Sequence, residues 1–161
     1  MDAKQDARER LDEEREQLIK LSHRIHENPE IAYEEEQASA WLSEALDAAG
    51  FAVERGIAGL PTSFKATFGS GPLHVGICAE FDALPAIGHA CGHNIIATAG
   101  IGAGIAAAKV ADEVGLTVTV LGTPAEEYLK AGGKITMLER GVFDDLHAAI
   151  MVHPMAEDVA G

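Results

Sequence analysis

Two carboxylates, two histidines and a cysteine lie within the fourteen positions from Glu80 to His93. These residue types bind divalent metals or orient the side chains that do. Cys91 and His93 are separated by a single residue, which is tighter than the usual spacing of a tetrahedral structural zinc site. This spacing could instead direct adjacent ligands at two neighbouring ions. A loop with a buried cysteine and hydrogen-bonded histidines is the alternative for this stretch alone.

Polar side chains follow three apolar runs that we predict to be buried strands. They are Glu80 and Asp82 after the run 73–79, Glu126 and Glu127 after the run 116–121, and His153 after the run 148–152. In an open α/β sheet, ligands bind in the crevice beyond the carboxyl ends of the strands. Packing does not explain such an arrangement, because a buried carboxylate is costly unless it is paired or bound to metal. The sequence therefore predicts a metal site at this edge.

The adjacent carboxylates of Glu126 and Glu127 suggest a division of roles. Neighbouring side chains in a loop point in different directions, so one can bind metal while the other faces a substrate. A hydrolytic metal site needs that second group to take a proton from water and return it to the leaving amine. A solvated turn would explain the pair in isolation, but not beside the other candidate ligands.

The hydrophobic pattern predicts the elements that position these residues. Helices are expected over about 7–27, 34–50, 94–113 and 132–141. Strands are expected over about 51–54, 62–68, 73–79, 116–121 and 148–152. We expect the strands over 62–68 and 73–79 to form a hairpin, because the segment 69–72 has the composition of a turn.

Strands alternate with helices in the second half of the chain, which indicates an α/β fold. We predict a layered, mostly parallel sheet with helices on both faces, an antiparallel edge hairpin and an N-terminal helix pair. The glycines at 100, 102 and 104 do not match the dinucleotide-binding fingerprint, because Ile105 stands where its last glycine should be. Close packing of this helix against the sheet is the expected reason for them.

Composition narrows the class of protein. A chain of 161 residues suits one domain with its own core. The net charge of −14 and the absence of a basic cluster argue against nucleic acid or an anionic membrane as a partner. The two cysteines, Cys78 and Cys91, do not form a disulfide framework, and a reducing cytoplasm is expected. The apolar run 95–108 is too short to span a bilayer and is predicted to be a buried helix.

Four motifs in this order resemble the amidohydrolase branch of the M-twenty family of di-metal peptidases. They are Ala79–Pro85, His89–Asn94, Thr123–Glu127 and His153 with Pro154. Within that branch they are most similar to dipeptidase members related to aminobenzoyl-glutamate hydrolase. The resemblance implies a zinc-peptidase-like catalytic domain.

The resemblance also implies a role for each matching residue. The implied metal ligands are Cys91, His93, Glu127 and His153. Glu126 would be the general base and acid, and Asp82 would orient a ligand. The expected cofactor is a divalent metal, as two ions of zinc or manganese, with cobalt or nickel also compatible. The implied reaction is amide hydrolysis of a dipeptide or N-acyl amino acid by metal-activated water.

Family members are far longer than this chain. We therefore expect residues 1–161 to be the N-terminal portion of one catalytic domain, without the lid or dimerisation domain and the C-terminal half. Homo-oligomerisation would then be a property of the full-length parent. The alternative is a non-catalytic metal-binding or interaction fragment of such an enzyme. Roles for Glu80, His89 and Asn94 remain open, and His74 and His147 are expected to be structural.

Overall fold

The structure is a computed structural model that describes residues 2–128 and 130–157. Its helices are α1 (Ala3–Glu27), α2 (Glu36–Ala48), α3 (His93–Val114) and α4 (Gly133–Glu139). Its strands are β1 (Ala52–Arg55), β2 (Phe64–Phe68), β3 (Leu73–Ala79), β4 (Leu116–Gly122) and β5 (Ala148–Ile150). Every predicted helix and strand is therefore present, with shifts of a few residues at the ends.

The five strands form one mixed sheet in the order β1-β2-β4-β3-β5. β3 pairs in parallel with β4 and β5, whereas β2 pairs antiparallel with β1 and β4. The α/β class with helices on both faces is confirmed. The prediction of a mostly parallel sheet is wrong, since two of the four strand pairings are antiparallel. The parallel part of the sheet is confined to β4, β3 and β5, which are the strands that lead into the candidate site.

The predicted hairpin between the strands over 62–68 and 73–79 is wrong. β4 lies between them, and the hairpin partner of β2 is β1, with Ala52 opposite Thr67 and Arg55 opposite Phe64. The crossover through α3 brings the chain back parallel to β3, as a helical connection of this length allows. β4 thereby takes the position beside β3 that the local sequence had suggested for β2.

The larger core lies between the sheet and the helices α1, α2 and α3. Its fully buried side chains include Ile25, Leu42, Ile101 and Val120. The predicted packing of the α3 glycines against the sheet is confirmed for Gly100 and Gly104, because a Cβ at Gly104 would lie 2.4 Å from a methyl group of Val120. It is wrong for Gly102, which faces α1, where a Cβ would lie 2.8 Å from Leu18. α3 is long and apolar enough to cross a membrane by length and composition, but most of it is buried within this fold.

The opposite face of the sheet carries a smaller cluster formed by Leu60, Leu121 and Met137. Met137 lies on α4, so α4 covers this face. The prediction that the last strand is buried is wrong, since all three residues of β5 are exposed. β5 lies at the edge of the sheet and pairs only with β3 among the described strands, so no neighbour covers its outer side.

Candidate metal centre

The centre of the site is His93, the first residue of α3, which is fully buried. Its Nδ1 lies 2.8 Å from the main-chain oxygen of Asp82 and 3.0 Å from the carboxylate Oδ1 of the same residue. Both partners are acceptors, so Nδ1 carries the proton and donates it. The lone pair of the imidazole is then on Nε2, the arrangement typical of a metal-binding histidine.

Asp82 also positions the neighbouring loop. Its second carboxylate oxygen accepts a hydrogen bond from the backbone N–H of Glu127 at 3.0 Å. Burial alone would raise the pKa of Asp82, but the hydrogen bonds from His93 and the Glu127 amide outweigh burial and lower the pKa. Burial alone would lower the pKa of His93, and its hydrogen bond to Asp82 reverses this and raises it. The structure thus gives Asp82 the contacts expected of an orienting residue.

The Nε2 atom of His93 is buried and has no hydrogen-bond partner among the described residues. Carboxylate oxygens surround it: Glu80 Oε2 at 3.6 Å, Glu126 Oε2 at 3.7 Å and Glu127 Oε1 at 3.8 Å. Ligand atoms that each lie about 2.0–2.2 Å from one ion stand roughly 3–4 Å from one another. A buried acceptor nitrogen facing acceptor oxygens at these distances fits a divalent cation.

Cys91 and His153 lie on the exposed side of the same histidine. The Sγ atom of Cys91 is 3.6 Å from Nε2 of His153, and the His93 and His153 rings meet edge to face with centroids 6.3 Å apart. Gly92 permits this turn, because its φ of +85° is in the left-handed region and a Cβ there would lie 2.9 Å from Pro154. The short spacing between Cys91 and His93 therefore brings both side chains to one site.

The potential ligand atoms form two overlapping groups. The atoms of Cys91, His93 and His153 lie within 4.8 Å of one another, and so do those of Glu80, His93 and Glu126. Glu127 belongs to neither group, although its side chain faces His93. The structure therefore brings together all six residues to which the resemblance gives a role, and Glu80, whose role was left open, lies among them. Their individual roles remain predictions.

Negative charge is concentrated at this edge. Burial, together with Glu127 and the other nearby carboxylates, raises the pKa of the Cys91 thiol to about 11. Burial and the charge of Glu80 raise the pKa of Glu126. A bound cation would oppose both effects, since it favours thiolate and carboxylate over their protonated forms. The donor set, one sulfur, two imidazoles and several carboxylates, is compatible with zinc and with the harder divalent metals.

Two further residues contact the site and were not identified from the sequence. Lys134, on α4, forms an ion pair with the buried carboxylate of Glu80. A lysine after two glycines carries no sequence signal for such a contact. Glu35 lies at the start of the predicted helix over 34–50 and carries no such signal either, yet its side chain is fully buried.

Glu35 contacts the loop that carries Glu126 and Glu127. Its Oε1 accepts a hydrogen bond from the backbone N–H of Ala125 at 2.8 Å, and its Oε2 accepts one from the Thr62 hydroxyl at 2.9 Å. Ala125 has a φ of +57°, which is uncommon for alanine. The Glu35 carboxylate therefore stabilises a strained turn directly before the two candidate carboxylates. Burial raises the pKa of Glu35.

The remaining histidines and Asn94 have other surroundings. His89 is buried, and burial lowers its pKa. Asn94 donates a hydrogen bond to the Ser22 hydroxyl at 3.0 Å and so connects α3 with α1. His74 and His147 contact each other, with the His74 amide donating to Nδ1 of His147 at 3.0 Å. These two histidines lie in a contact of their own, consistent with a structural role.

Comparison with known proteins places this geometry in context. No protein-family model matches the chain. Over 98% of its length the chain is 44% identical to the Xaa-Arg dipeptidase of Mus musculus, of which it covers 39%. Over 91% of its length it is 34% identical to a p-aminobenzoyl-glutamate hydrolase polypeptide of Escherichia coli, of which it covers 34%. The chain thus spans less than half the length of these curated relatives.

A solved structure agrees with the fold. The dinuclear metal-binding peptidase of Bacillus subtilis, a member of the M-twenty family, matches with a TM-score of 0.66 and 25% identity over 83% of this chain and 41% of that one. The resemblance that the four motifs indicate is therefore confirmed. This chain is a relative of the M-twenty metallopeptidases, with Xaa-Arg dipeptidase and p-aminobenzoyl-glutamate hydrolase among its homologues.

Proposed function

We propose that this protein contributes the metal centre of a metal-dependent amidohydrolase that cleaves the amide bond of a dipeptide or an N-acyl amino acid. One observation carries the proposal. The buried Nε2 of His93 has no protein partner within the described residues, Asp82 holds Nδ1 of the ring as the donor, and the carboxylates of Glu80, Glu126 and Glu127 lie 3.6–3.8 Å from Nε2. Relatives named as a dipeptidase and an aminobenzoyl-glutamate hydrolase support the substrate class.

Four residues would hold the metal: Cys91, His93, Glu127 and His153. We propose two divalent ions, zinc or manganese, with cobalt or nickel as other compatible metals. The dinuclear centre named for the Bacillus subtilis peptidase supports the number of ions. When bound, such ions lower the pKa of water and polarise a substrate carbonyl.

Glu126 would move the proton in this reaction. Its side chain is 36% exposed, so it can reach a substrate, whereas the Glu80 carboxylate beside it is buried. Burial and the neighbouring Glu80 raise the pKa of Glu126 in the metal-free protein, which favours proton uptake by its carboxylate. Asp82 would keep His93 oriented and would hold the Glu127 backbone in place. Glu126 would thus transfer the proton and Glu127 would bind metal, which is the division of roles that their adjacent positions suggest.

We also propose the type of substrate, the cellular location and the domain context of the protein. The substrate would be a small molecule, with neither nucleic acid nor membrane as a partner, because the net charge is −14. Two free cysteines support a cytoplasmic location. We propose that residues 1–161 belong to a single catalytic domain of a longer parent, in which homo-oligomers can form. The partial coverage of the relatives supports this.

An assay of Glu126→Gln tests the proposal. Hydrolysis of Xaa-Arg dipeptides, p-aminobenzoyl-glutamate and N-acetyl amino acids would be measured with Mn²⁺ or Zn²⁺, for the chain and for its longer parent. Loss of a general base should lower kcat by about 100-fold or more, whereas the exposed Glu139→Gln serves as the matched control. Equal rates for Glu126→Gln and the wild type would contradict the role of Glu126.

The second candidate function is a metal-binding fragment without catalysis, and the partial coverage of the relatives is compatible with it. The same assay separates the two. A folded chain that binds metal and hydrolyses none of these amides, while the longer parent does, would establish the fragment function for the 161 residues.

A further inference from the structure

Glu80 is a buried carboxylate to which neither the motifs nor the relatives assign a role. It follows β3 directly, and its side chain is 1% exposed. Its Oε1 is paired with the ammonium group of Lys134. Its Oε2 is buried and has no hydrogen-bond donor among the described residues. Leaving a buried carboxylate oxygen without a partner is costly, so this atom needs a hydrogen-bond donor or a cation.

The unpaired oxygen faces the unpaired nitrogen of the site. Oε2 of Glu80 lies 3.6 Å from Nε2 of His93, and Oε2 of Glu126 lies 3.7 Å from the same nitrogen. The three atoms lie within 4.8 Å of one another. With Nδ1 of His93 donating to Asp82, Nε2 of the neutral ring, which is the form that binds metal, is an acceptor. Three acceptors that converge without a donor are satisfied together by a cation.

His93 can bind only one ion, because Nδ1 is occupied by its hydrogen bond to Asp82. The ion on Nε2 therefore has Glu80 on its buried side, with Cys91 and His153 on its exposed side. We infer that Glu80 Oε2 is an additional metal ligand, which shares the ion of His93; this inference rests on the proposed function. Lys134 holds the other oxygen of the carboxylate and keeps Oε2 turned toward His93.

A structural alternative makes a different prediction. If Glu80 served only to bury the ammonium group of Lys134, the two residues would act as a unit, and removing either would have the same consequence. A ligand role requires that loss of the Glu80 carboxylate weakens metal binding whether or not Lys134 is present. A double-mutant cycle separates the two cases.

The experiment titrates the full chain with Co²⁺ alone, for the wild type, Glu80→Gln, Lys134→Met and the double variant. The dissociation constant is measured against a chromophoric chelator, and the visible d–d absorption reports the ligand set directly. We expect Glu80→Gln to weaken Co²⁺ binding by about tenfold or more in both backgrounds and to change the d–d spectrum. Lys134→Met retains the Glu80 carboxylate but loses its positioning partner, so its spectrum should change less than that of Glu80→Gln. Circular dichroism confirms that each variant is folded.

The outcomes distinguish this inference from the proposed function. A folded wild type that binds no Co²⁺ would overturn the proposed function and the ligand role together. Wild-type binding with an unchanged constant and spectrum in Glu80→Gln would overturn the ligand role alone. An effect of Glu80→Gln that disappears in the Lys134→Met background would also overturn it. If Glu80→Gln does not fold, Glu80→Asp replaces it, since a shortened ligand must still alter the spectrum.

Discussion

The two halves of the candidate metal centre differ in how the protein holds them. The anchored half comprises Glu80, Asp82 and His93, each no more than 1% exposed. The open half comprises Cys91, Glu126, Glu127 and His153, which are all partly or fully exposed. Glu80 and Asp82 follow β3, His93 begins α3, and both elements are packed into the main core.

The open half depends on loops. Glu126 and Glu127 follow β4 on a turn that Glu35 and Asp82 hold by hydrogen bonds to its backbone. His153 follows the exposed strand β5 and contacts Cys91 at 3.6 Å. The fold therefore determines the positions of the anchored residues without an ion, whereas the positions of the open residues depend on a few local contacts. Substitutions in the two halves should accordingly differ in size of effect.

The largest effect is expected for His93→Gln. This change removes the one nitrogen that belongs to both groups of potential ligands, so metal affinity should fall by more than about 100-fold. Isothermal titration with Mn²⁺ or Zn²⁺ measures it. Asn94→Gln, at the neighbouring buried position, controls for disturbance of the helix start. An unchanged metal affinity in His93→Gln would contradict the assignment of the anchored half as the main metal-binding part of the site.

Asp82→Asn should have the next largest effect, because it weakens the orientation of His93 without removing a ligand. We expect metal affinity to fall by about 10- to 100-fold. Hydrogen bonds hold the folded-state pKa of Asp82 below its unfolded value. Its stabilising contribution is therefore present above the unfolded pKa and is lost as the pH falls through the folded pKa.

Urea unfolding of the metal-free protein checks this sign. The stability advantage of the wild type over Asp82→Asn should be largest near neutral pH and should shrink in acid. An advantage that stays constant, or grows, as the pH falls would mean that Asp82 does not carry a stabilising charge in the folded protein.

Glu35→Gln should have a smaller effect on metal binding and a distinct effect on stability. Burial raises the folded-state pKa of Glu35. Its stabilising contribution is then full below the unfolded pKa and is lost as the pH rises through the folded pKa. The stability of the wild type relative to Glu35→Gln should therefore decrease with rising pH. The exposed neighbour Glu36→Gln is the matched control variant.

The smallest effect is expected for His153→Gln in the open half. The His153 side chain is exposed, and within the described part of the chain its group of potential ligands contains only Cys91 and His93 besides itself. Its loss therefore leaves the buried carboxylates in place. We expect a fall in metal affinity of about tenfold or less, measured by the same titration. An effect equal to that of His93→Gln would show that the halves are not distinct.

The anchored half was largely predictable from the sequence, and the loops that support the open half were not. An apolar run followed by Glu80 and Asp82 indicates a strand that delivers carboxylates to a sheet edge, and this local pattern holds in the structure. The exposure of β5 and the insertion of β4 beside β3 depend on strand pairing across long sequence separations, which local periodicity does not encode.

Two supporting contacts illustrate the same limit. Glu35 lies ninety residues before the Ala125 amide that it holds, and Lys134 lies fifty-four residues after Glu80. In the sequence both are ordinary charged residues beside helix starts. Only the fold shows that the Glu35 carboxylate is buried against a strained turn and that the Lys134 ammonium group is paired with Glu80 inside the site.

The most direct test of the central claim is the metal content of the protein purified without chelator. Elemental analysis would be made on the folded wild type and on His93→Gln. We predict about two divalent ions per wild-type chain, in keeping with the dinuclear relative, and sharply fewer in the variant. A folded wild type that contains no divalent metal, and takes up none from solution, would contradict it.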